Sequence, residues 1–286
     1  MLESAYSDLE PISDREFQDL RRLILEETGI SLKETKRMLV QARLAKRLRS
    51  LGLASYGAYF EFVSRPVNAG ERGELINCIT TNKTDFFREK HHFEFLATHV
   101  IGPARQRITG GPRRLRLWSA GCSSGEEPYT MAITILETIG SSAGWDIKIL
   151  ASDIDTDVLA KGEAGIYEAE RLNGIPEATV NKYFRRVAGE RFAAKENLKE
   201  LIRFRQINFA DPAWPVRARF DAIFCRNVII YFDRETQQRL LERLARYLEP
   251  SGYLMMGHSE NLFWVSDHLA ALGNTIYQQR QGRPVG

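Results

Sequence analysis

Short β-rich runs alternate with helical segments from residue 114 onwards, and this alternation constrains the fold more than any other feature of the chain. The runs are RLRLWS, IKILASD, LIRFRQINF, FDAIFCRN and GYLMMGH. Strands separated by helices predict a parallel sheet that helices cover on both faces. The clearest helix is predicted over residues 233–252, where Asp233 can cap its start and Pro250 and Gly252 are expected to end it.

One segment breaks this alternation. Residues 165–200 are therefore expected to form an insertion in the α/β domain. Within it, YFRRVAGERFAAK is typical of a small hairpin that turns at residues 188–190.

The chain upstream of the strands is predicted to be helical. The sequences SDRE (13–16) and SLKE (31–34) both match the capping box that opens a helix, and Gly29 and Gly52 stand where helices should end. Residues 65–73, RPVNAGERG, are expected to form a linker.

The second of these helices is strongly basic. Between Lys33 and Arg49 it has seven basic residues and one acid. At helical spacing Lys36, Arg43 and Arg47 fall within a narrow arc, which favours either a solvated face or a docking surface for an acidic partner.

Composition excludes several classes of protein. The 286 residues carry a net charge of only +3, and the basic helix has no interleaved aromatic residues, so a nucleic-acid partner is not expected. Three widely spaced cysteines argue against a disulfide scaffold or a zinc site. The chain has no apolar run of about 18 residues and no signal-peptide pattern, so we expect a cytoplasmic protein without membrane insertion.

The turn after the first strand, GCSSGEEPYT (121–130), predicts a ligand site. It lacks the Gly-Lys-Ser/Thr of a phosphate-binding loop, and two acids at a helix start would repel a polyphosphate. Glu126 and Glu127 suit a ligand with a cationic group, and Asp153 stands where α/β nucleotide folds hold a ribose diol. An amino group, a ribose and no phosphate describe S-adenosylmethionine. The alternative is that the acids merely cap a helix.

A second alternative is a serine hydrolase. The string GCSSG (121–125) fits a nucleophile elbow at Ser123, with Asp153 or Asp221 and then His258 completing a triad in the correct chain order. The helical sequence upstream offers no earlier strand or H-G-G segment for an oxyanion loop, which disfavours this hypothesis.

Several further segments give the chain a specific resemblance. ITTNKTDFFRE (79–89), ASDIDTDVLAKGEAGIY (151–167), FDAIFCRNVIIYFD (220–233) and GHSEN (257–261), together with WSAGCSSGEEPYT, resemble the chemotaxis receptor methyltransferase family, CheR, over residues 13–280. The resemblance implies a Rossmann-like, class I S-adenosylmethionine-dependent methyltransferase domain with a small inserted β-subdomain, preceded by an all-α domain. The expected divisions are a tail (1–12), a helical receptor-docking domain (13–66), a linker or helix (67–81) and the methyltransferase domain (82–286).

The resemblance also implies the residues of the site. Cofactor contacts are expected from Asn82, Thr84, Arg88, Gly121, Glu126 or Glu127, Asp153, Asn208, Phe209, Arg226 and Asn227. Phe209 replaces the leucine usual in the family. Arg88 and Tyr231 are expected beside the transferred methyl group, and no metal is expected. Because a glutamate carboxyl with a pKa of about 4.3 is already ionised at neutral pH, the reaction requires no general base.

The implied substrates are glutamates on the cytoplasmic helical bundle of methyl-accepting chemoreceptors. Lys36, Arg43 and Arg47 are then the expected docking residues. The short hairpin RRVAGERFAAKEN (185–197) predicts independence from a receptor C-terminal pentapeptide, and we expect a monomer. A third hypothesis keeps the fold but makes the chain a catalytically idle receptor-binding module.

Overall fold

The computed structural model describes residues 9–106, 110–260 and 268–280. The predicted tail of residues 1–12 falls mostly outside this part of the chain. The same holds for the end of the predicted 82–286 domain beyond residue 280 and for Asn261 of the GHSEN motif.

Four helices form the N-terminal region and share one apolar core. They are α1 (Asp14–Thr28), α2 (Arg37–Leu51), α3 (Tyr56–Ser64) and α4 (Ala69–Ile79). Their buried faces recur at helical spacing, as amphipathic helices require. The core includes Phe17, Leu20, Ile24, Val40, Leu44, Leu48, Tyr59, Val63 and Leu75.

The helix-end signals are only partly confirmed. Ser13 and Glu16 form the predicted capping box, and Gly29 and Gly52 end α1 and α2 in the left-handed region. The second predicted capping box is wrong, because a 3₁₀ turn with no side-chain cap precedes α2 and the Ser31 N–H donates to the Tyr231 carbonyl instead. The linker prediction for 65–73 is also wrong from Ala69 onwards, where α4 begins.

A broken helical segment leads from the N-terminal region to the sheet. It runs through α5 (Lys90–Phe95), a π-helical stretch (Leu96–Ile101) and α6 (Gly102–Gln106). Phe93, Leu96 and Ile101 are buried against the sheet in the larger of the two cores of this domain.

Strands and helices then alternate as predicted. In chain order they are β1 (Arg113–Ala120), α7 (Glu126–Ile139), β2 (Trp145–Asp153), α8 (Thr156–Ala164), β3 (Ile166–Glu168), α9 (Glu177–Tyr183), β4 (Phe184–Arg186), β5 (Arg191–Ala194), α10 (Glu196–Lys199), β6 (Ile202–Gln206), β7 (Phe220–Cys225), α11 (Arg234–Arg246), β8 (Leu248–Met256), β9 (Leu269–Gly273) and β10 (Ile276–Gln279).

The seven-stranded sheet has the order β6-β2-β1-β7-β8-β10-β9. The five strands from β6 to β8 are parallel, whereas β10 and β9 add an antiparallel pair at one edge. One core lies between the sheet and the side of α7, and the other lies between the sheet and α11. The predicted doubly covered α/β architecture is therefore confirmed.

The end of α11 differs from the prediction. Asp233 caps the helix through the Thr236 N–H, as expected, but the helix ends at Arg246. Strand β8 starts at Leu248 and contains Pro250, because Leu248 is fully buried and pairs with Phe220 of β7.

The insertion forms its own three-stranded sheet with the order β3-β5-β4. Strands β4 and β5 make the predicted antiparallel hairpin, and Gly189 in its loop has a φ of 68°, which favours glycine. The small β-subdomain predicted for residues 165–200 is confirmed.

Candidate functional site

A cavity of about 560 Å³ opens where the parallel strands β1, β2, β6 and β7 end. The loops after these strands form one wall, the segment between α4 and α5 forms a second, and residues 28–40 of the helical region form a third. Apart from Glu126, every predicted cofactor residue lines it: Asn82, Thr84, Arg88, Gly121, Glu127, Asp153, Asn208, Phe209, Arg226 and Asn227. Tyr231 and Lys36 also line the cavity, whereas Arg43 and Arg47 do not.

The turn after β1 requires glycine at its first position. Gly121 has a φ of 88°, and a Cβ atom added there would lie 2.3 Å from Cγ2 of Val228. The N–H groups of Gly121 and Cys122 both donate to the Ser152 carbonyl, at 2.7 and 2.9 Å. The glycine thus lets the β1 turn pack directly against the loop that follows β7.

Asp153 ends β2 as a buried acceptor. One carboxylate oxygen accepts the Ser123 N–H at 2.8 Å, and the other accepts the Asp155 N–H at 3.1 Å. Burial raises the pKa of the Asp153 carboxyl, and these two N–H groups oppose that rise by stabilising its charged form. Asp153 is 9% exposed and lines the cavity.

The two acids that open α7 have different environments. Glu127 lines the cavity, accepts the Ser119 hydroxyl at 2.6 Å and lies 3.2 Å from the Arg226 guanidinium. Burial raises the pKa of Glu127, and the charge of Arg226 opposes the rise. Glu126 instead accepts the Ser124 hydroxyl and pairs with Arg171 of the insertion. The geometry therefore places Glu127, and not Glu126, at the cavity.

Arg226 joins three parts of the site. Its side chain is buried, and it lies between the carboxylates of Glu127 at 3.2 Å and Glu89 at 3.5 Å. It also donates to the Arg88 carbonyl. These contacts hold the 82–89 segment against α7 and the end of β7. The charge of Arg226 is therefore already matched within the protein.

The segment between α4 and α5 is fixed by Asp155. One oxygen of this buried carboxylate accepts the Thr80 hydroxyl at 2.5 Å and the Asn82 amide at 2.7 Å. The other oxygen caps α8 through the N–H groups of residues 157 and 158. The amide of Asn82 thus faces Asp155, while Arg88 donates to the Lys83 carbonyl at 2.9 Å and also lines the cavity.

Asn208 and Tyr231 connect the cavity to the helical region. The Asn208 amide donates to the Glu27 carbonyl near the end of α1, at 2.6 Å. The Tyr231 hydroxyl lies 3.5 Å from the Thr81 carbonyl, and burial raises its pKa. Phe209 lines the cavity and packs edge-on against Trp214, with ring centroids 5.3 Å apart.

The basic helix does not present the three cations as one free row. The Arg43 guanidinium donates to the carbonyls of residues 78–80 at the end of α4. Arg47 makes two bonds to the buried carboxylate of Glu71, at 2.8 and 2.6 Å. Of these three cations, Lys36 is the one that is exposed and lines the cavity. These internal bonds give Arg43 and Arg47 a structural role, since the arc they share flanks the buried side of α2, and their docking role stays a prediction.

The hydrolase alternative has no triad. The Ser123 hydroxyl donates to the Asn82 carbonyl at 3.0 Å. His258 is exposed, and its backbone N–H bonds Glu89. Asp221 lies near the start of β7, and its carboxylate accepts the Arg116 N–H, at the opposite edge of the sheet from Ser123. Burial raises the pKa of the Cys122 and Cys225 thiols well above the usual value, and both side chains pack in the apolar cores of the domain.

One group within the described part of the chain could hold a metal ion. Glu89, His91 and His92 bring one potential ligand atom each within 4.8 Å of one another. Arg226 already lies beside the Glu89 carboxylate, and the His92 ring also contacts the Asn274 carbonyl at 3.1 Å. Burial and the charge of Arg226 lower the pKa of His92 to about 4.

Sequence reasoning missed two acids that organise the site. Asp155 stands two residues after Asp153, and its position before a helical pattern was the available signal for a cap. Glu260 accepts three backbone N–H groups near the end of β7, and nothing in the sequence marks that contact. Sequence reasoning also missed the lining by residues 28–33, which the loop after α1 supplies.

None of the helices in the described residues is both long and apolar enough to cross a bilayer. Two family models match the chain: "CheR methyltransferase, SAM binding domain" over residues 82–278 and "CheR methyltransferase, all-alpha domain" over residues 15–80.

Relatives at about 40% identity cover nearly the whole chain. The chain is 44% identical over 265 residues to chemotaxis protein methyltransferase 2 of Pseudomonas aeruginosa, covering 92% of both proteins. It is 42% identical over 270 residues to chemotaxis protein methyltransferase of Escherichia coli, covering 93% of this chain and 91% of that protein. It is 41% identical over 260 residues to the probable chemotaxis protein methyltransferase of Rhizobium etli, covering 90% and 96%. The chain belongs to the CheR methyltransferase family, with an all-α domain followed by an S-adenosylmethionine-binding α/β domain.

Proposed function

We propose that this protein methylates glutamate side chains on the cytoplasmic helical bundle of bacterial chemoreceptors. The products are glutamate methyl esters and S-adenosylhomocysteine. Family membership supports methyl transfer in chemotaxis. The observation that carries the proposal is a cavity lined by both Asp153 and Glu127. Its described lining holds no paired nucleophile and base, which fits methyl transfer to a carboxylate better than hydrolysis.

The side chains around the cavity fit the cofactor chemically. The Asp153 carboxylate at the end of β2 suits the two hydroxyls of a ribose. Glu127 supplies negative charge for the amino group, and Phe209 and Ile207 supply an apolar wall for the adenine ring. Because the α7 start carries acids where a phosphate would need donors, the cavity favours a cationic nucleoside over a nucleotide.

When bound, S-adenosylmethionine supplies a methyl group activated by its sulfonium. This methyl group would pass to a carboxylate oxygen of the substrate and leave S-adenosylhomocysteine, while Asp153 and Glu127 would hold the donor in the cavity. The protein's task is to align the two groups and to exclude water. No side chain has to take up a proton.

Arg88 and Tyr231 are the groups proposed to act on the incoming carboxylate. The Arg88 fork can hold both carboxylate oxygens, and it lines the cavity with one guanidinium nitrogen bonded internally. Burial raises the pKa of Tyr231, so its hydroxyl stays protonated and can donate a hydrogen bond. The ring face of Tyr231 can also stabilise a sulfonium.

Calorimetry with S-adenosylhomocysteine is the direct test of the cofactor site. We expect Asp153→Ala to weaken this binding strongly, and Tyr231→Phe to leave it unchanged but to lower the single-turnover rate of receptor methylation. Unchanged affinity in Asp153→Ala would remove that residue from the site. Transfer of labelled methyl groups to receptor glutamates would exclude the idle-module hypothesis.

Receptor docking is proposed to involve Lys36 at the rim of the cavity. Lys33 and Lys36 both line the opening, and the exposed side chains of Leu39 and Ile230 lie beside them. A glutamate-bearing helix would meet two cations and an apolar rim there. Lys36→Glu should raise the KM for receptor and spare cofactor binding, and an unchanged receptor KM would contradict the docking role.

Independence from a receptor pentapeptide remains part of the proposal. The loop between β4 and β5 contains only residues 187–190, so the hairpin is short. Titration with a receptor tail peptide should give no binding heat, and micromolar affinity would contradict the prediction.

A further inference from the structure

Glu260 is a buried carboxylate in the loop that follows β8, and it does not line the cavity. Its side chain accepts backbone N–H groups from two different loops. One oxygen accepts from Asn227 and from Gly257, each at 2.7 Å, and the other accepts from Ile229 at 2.9 Å. Glu260 is only 3% exposed, and it has no ion-pair partner within the described ranges.

The loop after β7 depends on these bonds for its shape. Asn227 has a φ of 59° and is followed by a 3₁₀ turn at Ile229–Tyr231. Asn227 and Ile229 lie beyond the last paired residue of β7, so their N–H groups have no partner in the sheet, and a buried N–H without an acceptor is costly. A single carboxylate satisfies both and leaves the loop one favourable conformation.

Gly257 brings the second loop into direct contact with the first. A Cβ atom added at Gly257 would lie 2.6 Å from the Asn227 amide and 2.8 Å from the Glu260 carboxylate. Glycine therefore allows the loops after β7 and β8 to meet around Glu260.

The loop after β7 contributes several residues to one wall of the cavity. Asn227 and Tyr231 line it, and Val228 packs against the glycine turn at Gly121. We propose that Glu260 is a positioning residue for methyl transfer, because it fixes Asn227 against the cofactor site and Tyr231 beside the acceptor. This inference rests on the proposed function for the role of Tyr231, but its effect on cofactor affinity does not depend on the substrate.

Glu260→Gln is the decisive variant because it keeps the size of the side chain. In the glutamine only one of the two carboxylate oxygens is kept, and an NH₂ group replaces the other. This NH₂ group then faces either the Ile229 N–H or the N–H groups of Asn227 and Gly257. Two donors then oppose each other, and one end of the loop is released. Glu249→Gln is the matched control, since Glu249 is the same residue type on the preceding strand β8 and pairs with Arg114 at the surface.

We expect Glu260→Gln to raise the Kd for S-adenosylhomocysteine about tenfold and to lower kcat for receptor methylation about tenfold or more. The KM for receptor should stay within about twofold, and the control should match the wild type. The loss of kcat should also be non-additive with Tyr231→Phe, because both changes act on the same group.

Wild-type Kd and kcat in a folded Glu260→Gln protein would overturn the proposal, and so would additivity with Tyr231→Phe. If Glu260→Gln does not fold, Glu260→Asp is the second variant, because it keeps the charge on a shorter side chain. It should lower kcat by a smaller factor and leave the KM for receptor unchanged. Wild-type kinetics in Glu260→Asp would also overturn the proposal. A wild-type protein that binds S-adenosylhomocysteine but does not methylate receptor would refute the proposed substrate alone, and the Kd comparison would still decide the role of Glu260.

Discussion

Replacing Arg47 by methionine is expected to destabilise the helical domain rather than simply to remove a docking charge. Arg47 makes two bonds to Glu71, whose side chain is only 7% exposed, and the Tyr59 hydroxyl donates to the same carboxylate at 2.9 Å. Arg47→Met leaves this buried carboxylate without its cation.

The size of the loss follows from the burial of the pair. Removing one partner of a buried ion pair costs about 3–5 kcal/mol, and the partial exposure of Arg47, 27% of its side chain, puts this case near the lower end. A loss of about 3 kcal/mol lowers the Tm by roughly 6–12 °C in a protein of this size. Lys46→Met, an exposed neighbour on α2, should change stability by less than about 0.5 kcal/mol.

A double variant separates the internal role of Arg47 from a docking role. Arg47→Met combined with Glu71→Leu removes both charges, so most of the stability should return, except for about 1 kcal/mol from the Tyr59 hydroxyl that loses its acceptor. Receptor methylation should return with it. Thermal unfolding and labelled-methyl assays on the single and double variants test this. A stable but inactive double variant, or an Arg47→Met protein with wild-type Tm, would refute the reasoning.

Three further predictions follow from the same contacts. Arg43→Gln should weaken S-adenosylhomocysteine binding about fivefold, since the carbonyls of residues 78–80, next to the proposed cofactor segment, lose their donor. Lys36→Gln should instead raise the KM for receptor. Calorimetry measures the first effect, and receptor methylation kinetics measure the second. Glu127→Gln should lower cofactor affinity at least about tenfold, whereas Glu126→Gln should mainly lower the Tm, as binding and melting curves would show. His92 has a folded pKa of about 4 against 6.5 unfolded, so its stability contribution is lost as pH falls through this window. Between pH 7 and pH 5, the free energy of unfolding measured in urea should fall by about 2 kcal/mol more in the wild type than in His92→Gln.

The parts of the fold that sequence predicted correctly are those set by neighbours along the chain. The Ser13 capping box, the glycine ends of α1 and α2 and the alternation of strands and helices all depend on residues within a few positions of one another. The predictions that failed were decided by distant contacts. Ser31 bonds Tyr231 in place of its predicted helix cap, and Leu248 joins β7 in place of extending α11.

The candidate site shows the same division. Strand ends in a parallel sheet meet at one edge, so the positions of Gly121 and Asp153 could be predicted from the pattern of strands and turns, whereas Asn227 was expected from the family resemblance. The choice between Glu126 and Glu127 could not, because it depends on Arg171 from the insertion and Arg226 from β7. Charge counting on α2 likewise could not reveal partners 24 to 37 positions away.

The helical domain lines the cavity that we propose as the cofactor site, and it also carries the proposed receptor contact. Ile30 packs against the core of the helical domain and against a core of the methyltransferase domain. The Ser31 N–H donates to Tyr231, and Asn208 donates to the end of α1. A receptor helix that binds at Lys36 would therefore press on the same segment that holds Tyr231. Coupling between two binding sites is reciprocal. Bound cofactor should therefore increase the affinity for receptor, and bound receptor should increase the affinity for cofactor by the same factor. The affinity for cofactor measured with and without receptor, and the affinity for receptor measured with and without cofactor, should change by the same factor. If neither affinity changes, the contact between residues 30–31 and Tyr231 does not couple the two sites.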